Sequence, residues 1–441
     1  MSAEREARLD TRGWAQRIET YRQEHGKALG ADALHQAVAA ADAKAAAEEN
    51  EHRLFVRFAE NEEGVWLDMC DSTGRAILIT SESWEIRLTP PILFRRFPHQ
   101  APLPEPIRGG DLRLINPFLN LPDEDDLMMV QVWLVTSILG SIPRPALDLH
   151  GPKGSAKTFV AQLLRGVVDP SALGGQDISR KPDELAQLFD HNAVAVFDNV
   201  TTVNEWQSNM FCLATTGGGH AKRAHYTNDD DFFFAFKRTY IITGINIPTA
   251  ASDLLDRLIL IELSPPAARR EEDELLREFE KVRPAILGGL LDTLVKASVL
   301  RRKFKIPGEA TPRMADFARW GEATAQALGY EPKRFLNFYL RNIERQIEEV
   351  LTSDPVASAM LCLPEGEWIG TMAELKDYLE SYNAKAASQK SWPSNAPALG
   401  KKLNTIKEAL EKGGIKFERL PGKNPRRVCV TVAATGVKTE M

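Results

Sequence analysis

Gly151-Pro-Lys-Gly-Ser-Ala-Lys-Thr158 lies between an apolar run with strand character, Pro145 to Leu149, and a stretch with helical spacing marked by Phe159, Leu163 and Leu164. This is the pattern of a phosphate-binding loop, Gly-x-x-x-x-Gly-Lys-Ser/Thr, with one departure. Small residues let successive backbone N–H groups curl round a β-phosphate at a helix N-terminus, the lysine reaches the β/γ oxygens, and the hydroxyl holds Mg2+. Gly151, Gly154, Ser155, Lys157 and Thr158 are in place, whereas Ala156 brings a methyl group to the second glycine position, where backbone must approach phosphate closely. The stretch predicts a strand–loop–helix unit of an α/β fold that takes ATP and Mg2+, with affinity lowered rather than lost through the alanine.

The rest of the composition narrows the class. A chain of 441 residues is too long for one core and predicts several domains. A hydrophobic content of 43%, a charged content of 26% and a net charge of −6 describe a globular protein whose affinity for nucleic acid must come from local basic patches. Four cysteines, Cys70, Cys212, Cys362 and Cys429, stand far apart with no C-x-x-C pair, which argues against a zinc site or a disulfide framework and for a reducing compartment. No apolar run is long enough to span a bilayer, so the expectation is a cytoplasmic protein without a membrane partner.

Residues 1–50 are rich in Ala, Glu, Gln, Arg and Lys and predict one or two exposed helices. A β-rich module is expected over 51–110, from runs such as Gly64 to Met69, Arg75 to Thr80 and Trp84 to Leu88 with turn signals between them; a Pro-rich stretch, Pro98 to Pro106, leads out of it. The ATPase core is expected over 111–265, a helical lid over 266–355 and a C-terminal module over 362–441. Within the core, Asn192 to Asn199, Thr239 to Asn246 and Leu258 to Leu263 read as buried parallel-type strands.

Phosphoryl transfer is catalysed by positioning and charge stabilisation, so further parts are needed at strand ends beside the loop. Asp198 ends a strand about 40 residues after Lys157, where a carboxylate can hold Mg2+ together with Thr158. Asn246 ends the next strand, where its amide can orient the attacking water or, as a loop residue before Pro248, support a turn. Arg257 stands just ahead of a strand, from where it can reach a neighbouring subunit's γ-phosphate or pair with Asp256. Arg313, at a helix start, is a candidate lid arginine sensing the nucleotide, although first-turn arginines are common.

In this order Lys157, Asp198, Asn246 and Arg257 resemble the Walker A, Walker B, sensor 1 and arginine-finger residues of AAA+ ATPases. The phrases Phe197-Asp-Asn-Val200, Thr216-Gly-Gly-Gly219, Ile242-Thr-Gly-Ile-Asn246 and Asp253-Leu-Leu-Asp-Arg257, followed by Pro312-Arg-Met-Ala-Asp-Phe317, narrow the likeness. Over roughly residues 50–350 they are similar to the superfamily 3 helicases and primase-helicase-like proteins of phages, plasmids and integrated elements. The resemblance implies an AAA+ P-loop core with a helical lid, assembly into a homo-oligomeric ring, a hexamer as the family's usual form, and action on DNA. Asn199 departs from it, standing where many such ATPases carry a second acid that activates water. Glu205 or Asp229 would then act as base, or hydrolysis would be slow.

The interval Gly217 to Asp231 corresponds to the hairpin that superfamily 3 helicases project into the ring pore, which implies Lys222, Arg223, His225 and Tyr226 on single-stranded DNA. Pairing of Lys222 or Arg223 with Asp229 to Asp231, or contact with ATP at a subunit boundary, is the competing reading. In the tail, a helix from Trp368 through Met372, Leu375 and Leu379, a second from Pro397 to Leu410 and a two-stranded hairpin with a basic tip resemble a winged helix. From Gly366 onward thirteen Lys and Arg face eight Asp and Glu, a net +5 that leaves −11 on the remainder. That asymmetry suits duplex binding through Lys401, Lys402, Lys407, Lys423, Arg426 and Arg427, although winged helices also dock proteins. The function expected is an ATP-driven, ring-forming DNA helicase or translocase of mobile-element replication. A nucleotide-controlled switch or loader that recruits a partner without unwinding is the alternative, and a small-molecule kinase leaves Arg257 and the tail unexplained. The 53–96 module shows no clustered acidic triad of a primase.

Overall fold

The computed structural model describes residues 21–23, 25–27, 30–47, 52–223, 231–248, 252–266, 268, 270–304, 306, 311–389, 391–421 and 426–433. The chain divides into two compact units, Met1–Phe55 and Val56–Met441. In the first, the alanine-rich stretch forms helix α1, Ala31–Ala47, with Asp32 in its first turn and Lys44 in its last, the placement the helix dipole favours.

The second unit holds everything expected from the β-rich module onward. Strands β1 (Phe58–Glu60), β2 (Val65–Asp68), β3 (Ala76–Ile79) and β4 (Trp84–Arg87) form an antiparallel meander in chain order. Helix α2 (Glu124–Thr136), whose N-terminus is capped by the Asp123 side chain, precedes the α/β core. That core runs β5 (Ala146–His150), α3 (Lys157–Val168), α4 (Pro182–His191), β6 (Val194–Phe197) and α5 (Glu205–Thr216). An antiparallel hairpin of β7 (Gly218–Arg223) and β8 (Asp231–Phe236) comes next, then β9 (Thr239–Gly244), the short α6 (Ser252–Leu255) and β10 (Leu258–Glu262).

The four core strands are parallel in the order β10-β5-β9-β6. Strand β9 therefore enters between β5 and β6, the two strands of this sheet that precede it in the chain. Both faces are covered, so β5, β6 and β9 are buried throughout and read as continuous apolar runs rather than alternating ones. Arg57 ties the meander to this sheet. It is fully buried at φ +60°, donates from Nε to Asp169 Oδ1 at 2.9 Å and from its other nitrogens to the carbonyls of Asp68, Ala101 and Pro170. The other oxygen of Asp169 accepts the N–H groups of Ala193 and Val194 at the start of β6, so one carboxylate serves both layers.

Helix α7 (Glu272–Lys303) packs against the segment just after the Pro-rich stretch, with Gly288 and Gly289 lying so close to the backbone of Ile107 and Asp111–Leu112 that no side chain fits. Helices α8 (Ala315–Ala327), α9 (Arg334–Ser353) and α10 (Pro355–Leu361) follow. Helix α9 is fastened along the outer edge of β10. Asn342 accepts the N–H of Leu260 at 3.0 Å and donates to its carbonyl at 2.8 Å, and Gln346 donates to the Leu258 carbonyl at 2.5 Å.

The C-terminal part consists of β11 (Gly366–Thr371), α11 (Met372–Tyr382), α12 (Ala396–Thr405), α13 (Lys407–Lys412), β12 (Ile415–Arg419) and β13 (Arg427–Val432). Its sheet has three antiparallel strands, β11-β13-β12. Trp368, expected to begin a helix, lies in β11 opposite Val430. The apolar spacing Trp368, Met372, Leu375, Leu379 continues backward by one helical step past the true boundary, which is set by the capping box of Thr371 and Glu374. The expected helix 397–410 is interrupted at Ile406.

Candidate functional site

The 151–158 loop joins the C-terminal end of β5 to α3, the edge of a parallel sheet where ligands bind. Gly151, at φ +146°, donates its N–H to the Ile245 carbonyl at 3.1 Å, and a side chain on it would strike the Leu263 carbonyl; the loop thus starts wedged between the ends of β9 and β10. Gly154 has φ +85°. Ala156 is the N-cap of α3 in the left-handed conformation, φ 59° and ψ 25°, which explains why glycine belongs there: an L-residue in that basin costs about 1–2 kcal/mol.

The N-terminus of α3 has no side-chain cap, unlike those of α2, α5 and α11, so its first-turn N–H groups have no partner from Ala156. Beside it Lys157 folds back over the loop, its Nζ donating to the carbonyls of Gly151 at 2.8 Å and Pro152 at 2.9 Å and to Ser155 Oγ at 3.1 Å. Desolvation holds the ammonium pKa below its ordinary value, with Asp198 acting in the opposite sense. A cation thus stands beside an uncapped helix start, an arrangement suited to an anion.

Asp198 follows β6 and closes the other side. Its Oδ1 accepts from Thr158 Oγ1 at 2.8 Å and from Thr243 Oγ1 near the end of β9. The Thr243 hydroxyl in turn accepts the N–H of Asn199 at 3.1 Å, and its carbonyl accepts that of Val200 at 2.7 Å. Asn199 stands at φ 54°, so the chain turns sharply right after the carboxylate. Gly175 crosses at close range, where a Cβ would stand 2.6 Å from Asp198 Cβ. One hydroxyl and one carboxylate are hard oxygen donors, a set that fits Mg2+, which keeps several waters and takes its remaining ligands from phosphate. Among the described residues there is no cluster of three or more His, Cys, Asp or Glu able to hold a metal by themselves.

The remaining sequence candidates divide between this edge and other places. Asn246 is exposed two residues past β9, next to Ile245, whose carbonyl holds Gly151. Arg257 precedes β10 at the opposite end of the sheet and donates to the Asp253 carboxylate at 2.6 Å, so its partner is Asp253 rather than Asp256. Arg313 lies against the same Asp253, at 2.8 Å, with Asp256 at 3.5 Å. Glu205 opens α5 and pairs with Lys401 at 2.9 Å. Lys402 pairs with Asp354, and Lys407 lies 3.6 Å from Glu411. Arg426 and Arg427 are exposed at the start of β13. Lys222 and Arg223 are in β7, opposite Phe232 and Asp231. His225, Tyr226, Asp229 and Lys423 fall outside the described residues. Sequence reasoning missed Thr243, Gly175 and Asp253; only the last left a signal, its i,i+4 spacing to Arg257.

Among the described residues no helix is long and apolar enough to cross a membrane. Of solved structures, the chain is similar to the SCCmec type IV Cch active helicase, with 12% identity over 96% of this chain and 86% of that one and a TM-score of 0.47. It is also similar to the C-terminal region of NrS-1, with 12% identity over 92% and 91% and a TM-score of 0.38. The JCV helicase aligns with 16% identity over 52% and 62%, TM-score 0.25. No curated protein matches the chain. Residues 112–334 match the family model of the actinomycete integrative conjugative element replication protein, and residues 356–439 match the AICE RepA C-terminal domain. The sheet with its candidate site falls within the first of these stretches and the three-stranded tail within the second, and the chain belongs to the actinomycete integrative conjugative element replication proteins.

Proposed function

We propose that this replication protein is an ATPase of the superfamily 3 helicase type that binds ATP and Mg2+ at the 151–158 loop, works as a homo-oligomeric ring, a hexamer in this reading, and moves along or unwinds DNA in the cytoplasm. The observation that carries the reading is the pairing of Thr158 with Asp198 beside an uncapped helix N-terminus, at the edge of a parallel sheet whose strand β9 enters between β5 and β6.

Lys157 exchanges its hydrogen bonds to Gly151 and Pro152 for the β/γ-phosphate oxygens, which neutralises charge where it develops. Thr158 and Asp198 would hold Mg2+, which would supply charge neutralisation to the phosphates. Thr243 keeps the Asp198 carboxylate turned toward Thr158. Asn246 orients the attacking water, and Arg257 acts on the nucleotide of an adjacent copy. Single-stranded DNA is contacted by the β7–β8 hairpin through Lys222, Arg223 and His225, and duplex by the C-terminal module, in the manner of a winged helix, through Lys401, Lys402, Arg426 and Arg427.

The expected result is ATP turnover that rises with single-stranded DNA and is abolished by Lys157→Ala. Turnover indifferent to DNA in the intact protein removes the helicase reading. The second reading, a nucleotide-controlled switch or loader, draws on Asn199, a neutral amide that cannot take a proton from water. A forked duplex separates the two, because a switch consumes ATP and leaves the fork intact.

A further inference from the structure

The residue of β5 that leads into the phosphate loop is a histidine held from two sides. His150 and Asp148 stand two apart on the strand, share a face and are both buried. Asp148 Oδ1 meets His150 Nδ1 at 2.8 Å, while His150 Nε2 lies 3.3 Å from Nη2 of Arg345 on α9. The same Nη2 reaches Glu262, the β10 residue paired with His150, at 3.0 Å, so its two hydrogens serve two neighbouring strands.

These contacts settle where the ring proton sits. A guanidinium only donates, so Nε2 keeps its lone pair for Arg345 and the proton belongs on Nδ1, facing the Asp148 carboxylate. Among the described residues Asp148 Oδ2 is buried without a partner, which leaves the imidazole as the group that holds this carboxylate. Burial pushes the Asp148 pKa up, with His150 and then Arg345 opposing and Glu349 of α9 adding to the rise. On the α2 side, Asp126 feels the charge of both Arg345 and His150.

One peptide bond joins this ring to the loop. The His150 carbonyl accepts the Leu263 N–H at 2.7 Å, and the Gly151 carbonyl accepts Lys157 Nζ at 2.8 Å. A ring that turns on losing Arg345 therefore shifts the residue from which Gly151 springs, and with it an acceptor of the loop lysine.

We infer that Arg345 is a positioning residue for the phosphate loop, acting through the imidazole of His150, which it and Asp148 hold as the Nδ1–H tautomer. The inference rests on the ATPase reading above and deepens it: α9 contributes to nucleotide affinity without touching the nucleotide. No covalent bond changes; what is fixed is the direction in which β5 delivers the loop.

Two readouts on the full chain test it. Nitrogen NMR of protein carrying isotope-labelled histidine, without nucleotide, is expected to show His150 with a proton on Nδ1 and a bare Nε2, the signals being those lost in His150→Asn. Arg345→Leu should move both signals. Binding of a non-hydrolysable ATP analogue with Mg2+, followed by calorimetry, should weaken several-fold in Arg345→Leu and recover in part in Arg345→Lys, which keeps a donor. Arg345 is half-exposed, so these variants fold. Arg341→Ala removes a neighbouring α9 cation that pairs with Asp125 at 3.4 Å, and should bind as wild type does. A merely structural Arg345 predicts a lower denaturation midpoint with affinity within about twofold of wild type. That result, an equal loss in Arg341→Ala, or a wild-type ring with its proton on Nε2 overturns the inference. A wild type that binds no analogue overturns the ATPase reading instead; His150 signals that move with Arg345→Leu then sustain the link between the two side chains, and unmoved signals overturn it as well.

Discussion

Replacing Thr243 by valine keeps the shape of a fully buried strand residue and removes a single hydroxyl that makes two contacts. The donated bond to Asp198 is to a charged group, worth about 1.5–3 kcal/mol, and the accepted bond leaves the Asn199 N–H unsatisfied at a cost of about 1–3 kcal/mol. These share one turn and are not additive, so a stability loss of about 2–4 kcal/mol is expected. Asp198 keeps its contact with Thr158 but loses the partner that fixes its rotation, and groups that orient a metal-holding carboxylate commonly matter about 10- to 100-fold in activity. The assay is ATP turnover at saturating nucleotide beside a denaturant titration, with Thr243→Ser as the variant that restores the hydroxyl and both properties. A Thr243→Val protein that turns over within about twofold of wild type would refute the role given to this residue.

Other perturbations read different parts of the molecule. Ala156→Gly relieves a left-handed residue costing about 1–2 kcal/mol against about 0.4–1 kcal/mol of added unfolded-chain entropy, so the variant should unfold at equal or higher denaturant; a clear loss of stability would mean the loop does not need that conformation. Asp126 is raised to about 6, first by burial and then by Asp123, with Arg345 and His150 opposing. Its folded form holds a proton more tightly than the unfolded chain, so the stability it contributes is full below about pH 4 and is lost as pH climbs through about 6. Asp126→Asn should therefore gain about 1–2 kcal/mol on the parent between pH 4 and 7 in denaturation midpoints, a figure already reduced for solvent screening; parallel pH profiles would contradict it.

What the sequence made readable follows from where physics is local. The loop, the strand ending in Asp198, the meander over 58–87 and the helices over 315–353 were legible because glycine, turn chemistry and periodicity act within a few residues. Thr243 was not, since a threonine in an apolar strand is ordinary until β9 is known to lie beside β6, a pairing that strand order along the chain does not announce. The same is true of Arg313, whose meaning depends on reaching Asp253 across sixty residues of intervening fold. Strand β11 was misread because its tryptophan happens to continue the spacing of the following helix. Lys401 and Lys402 stand apart for another reason: charge counts along the tail register that they are basic, not that Glu205 and Asp354 engage them.

The amide groups of Asn342 and Gln346 have an effect beyond holding a helix. By occupying Leu258 and Leu260, they leave the outer margin of β10 with few backbone groups to offer, so a neighbouring copy cannot extend this sheet into a continuous ribbon on that side. Copies that meet there must touch through side chains alone. Such a contact can be undone without unzipping a hydrogen-bonded ladder.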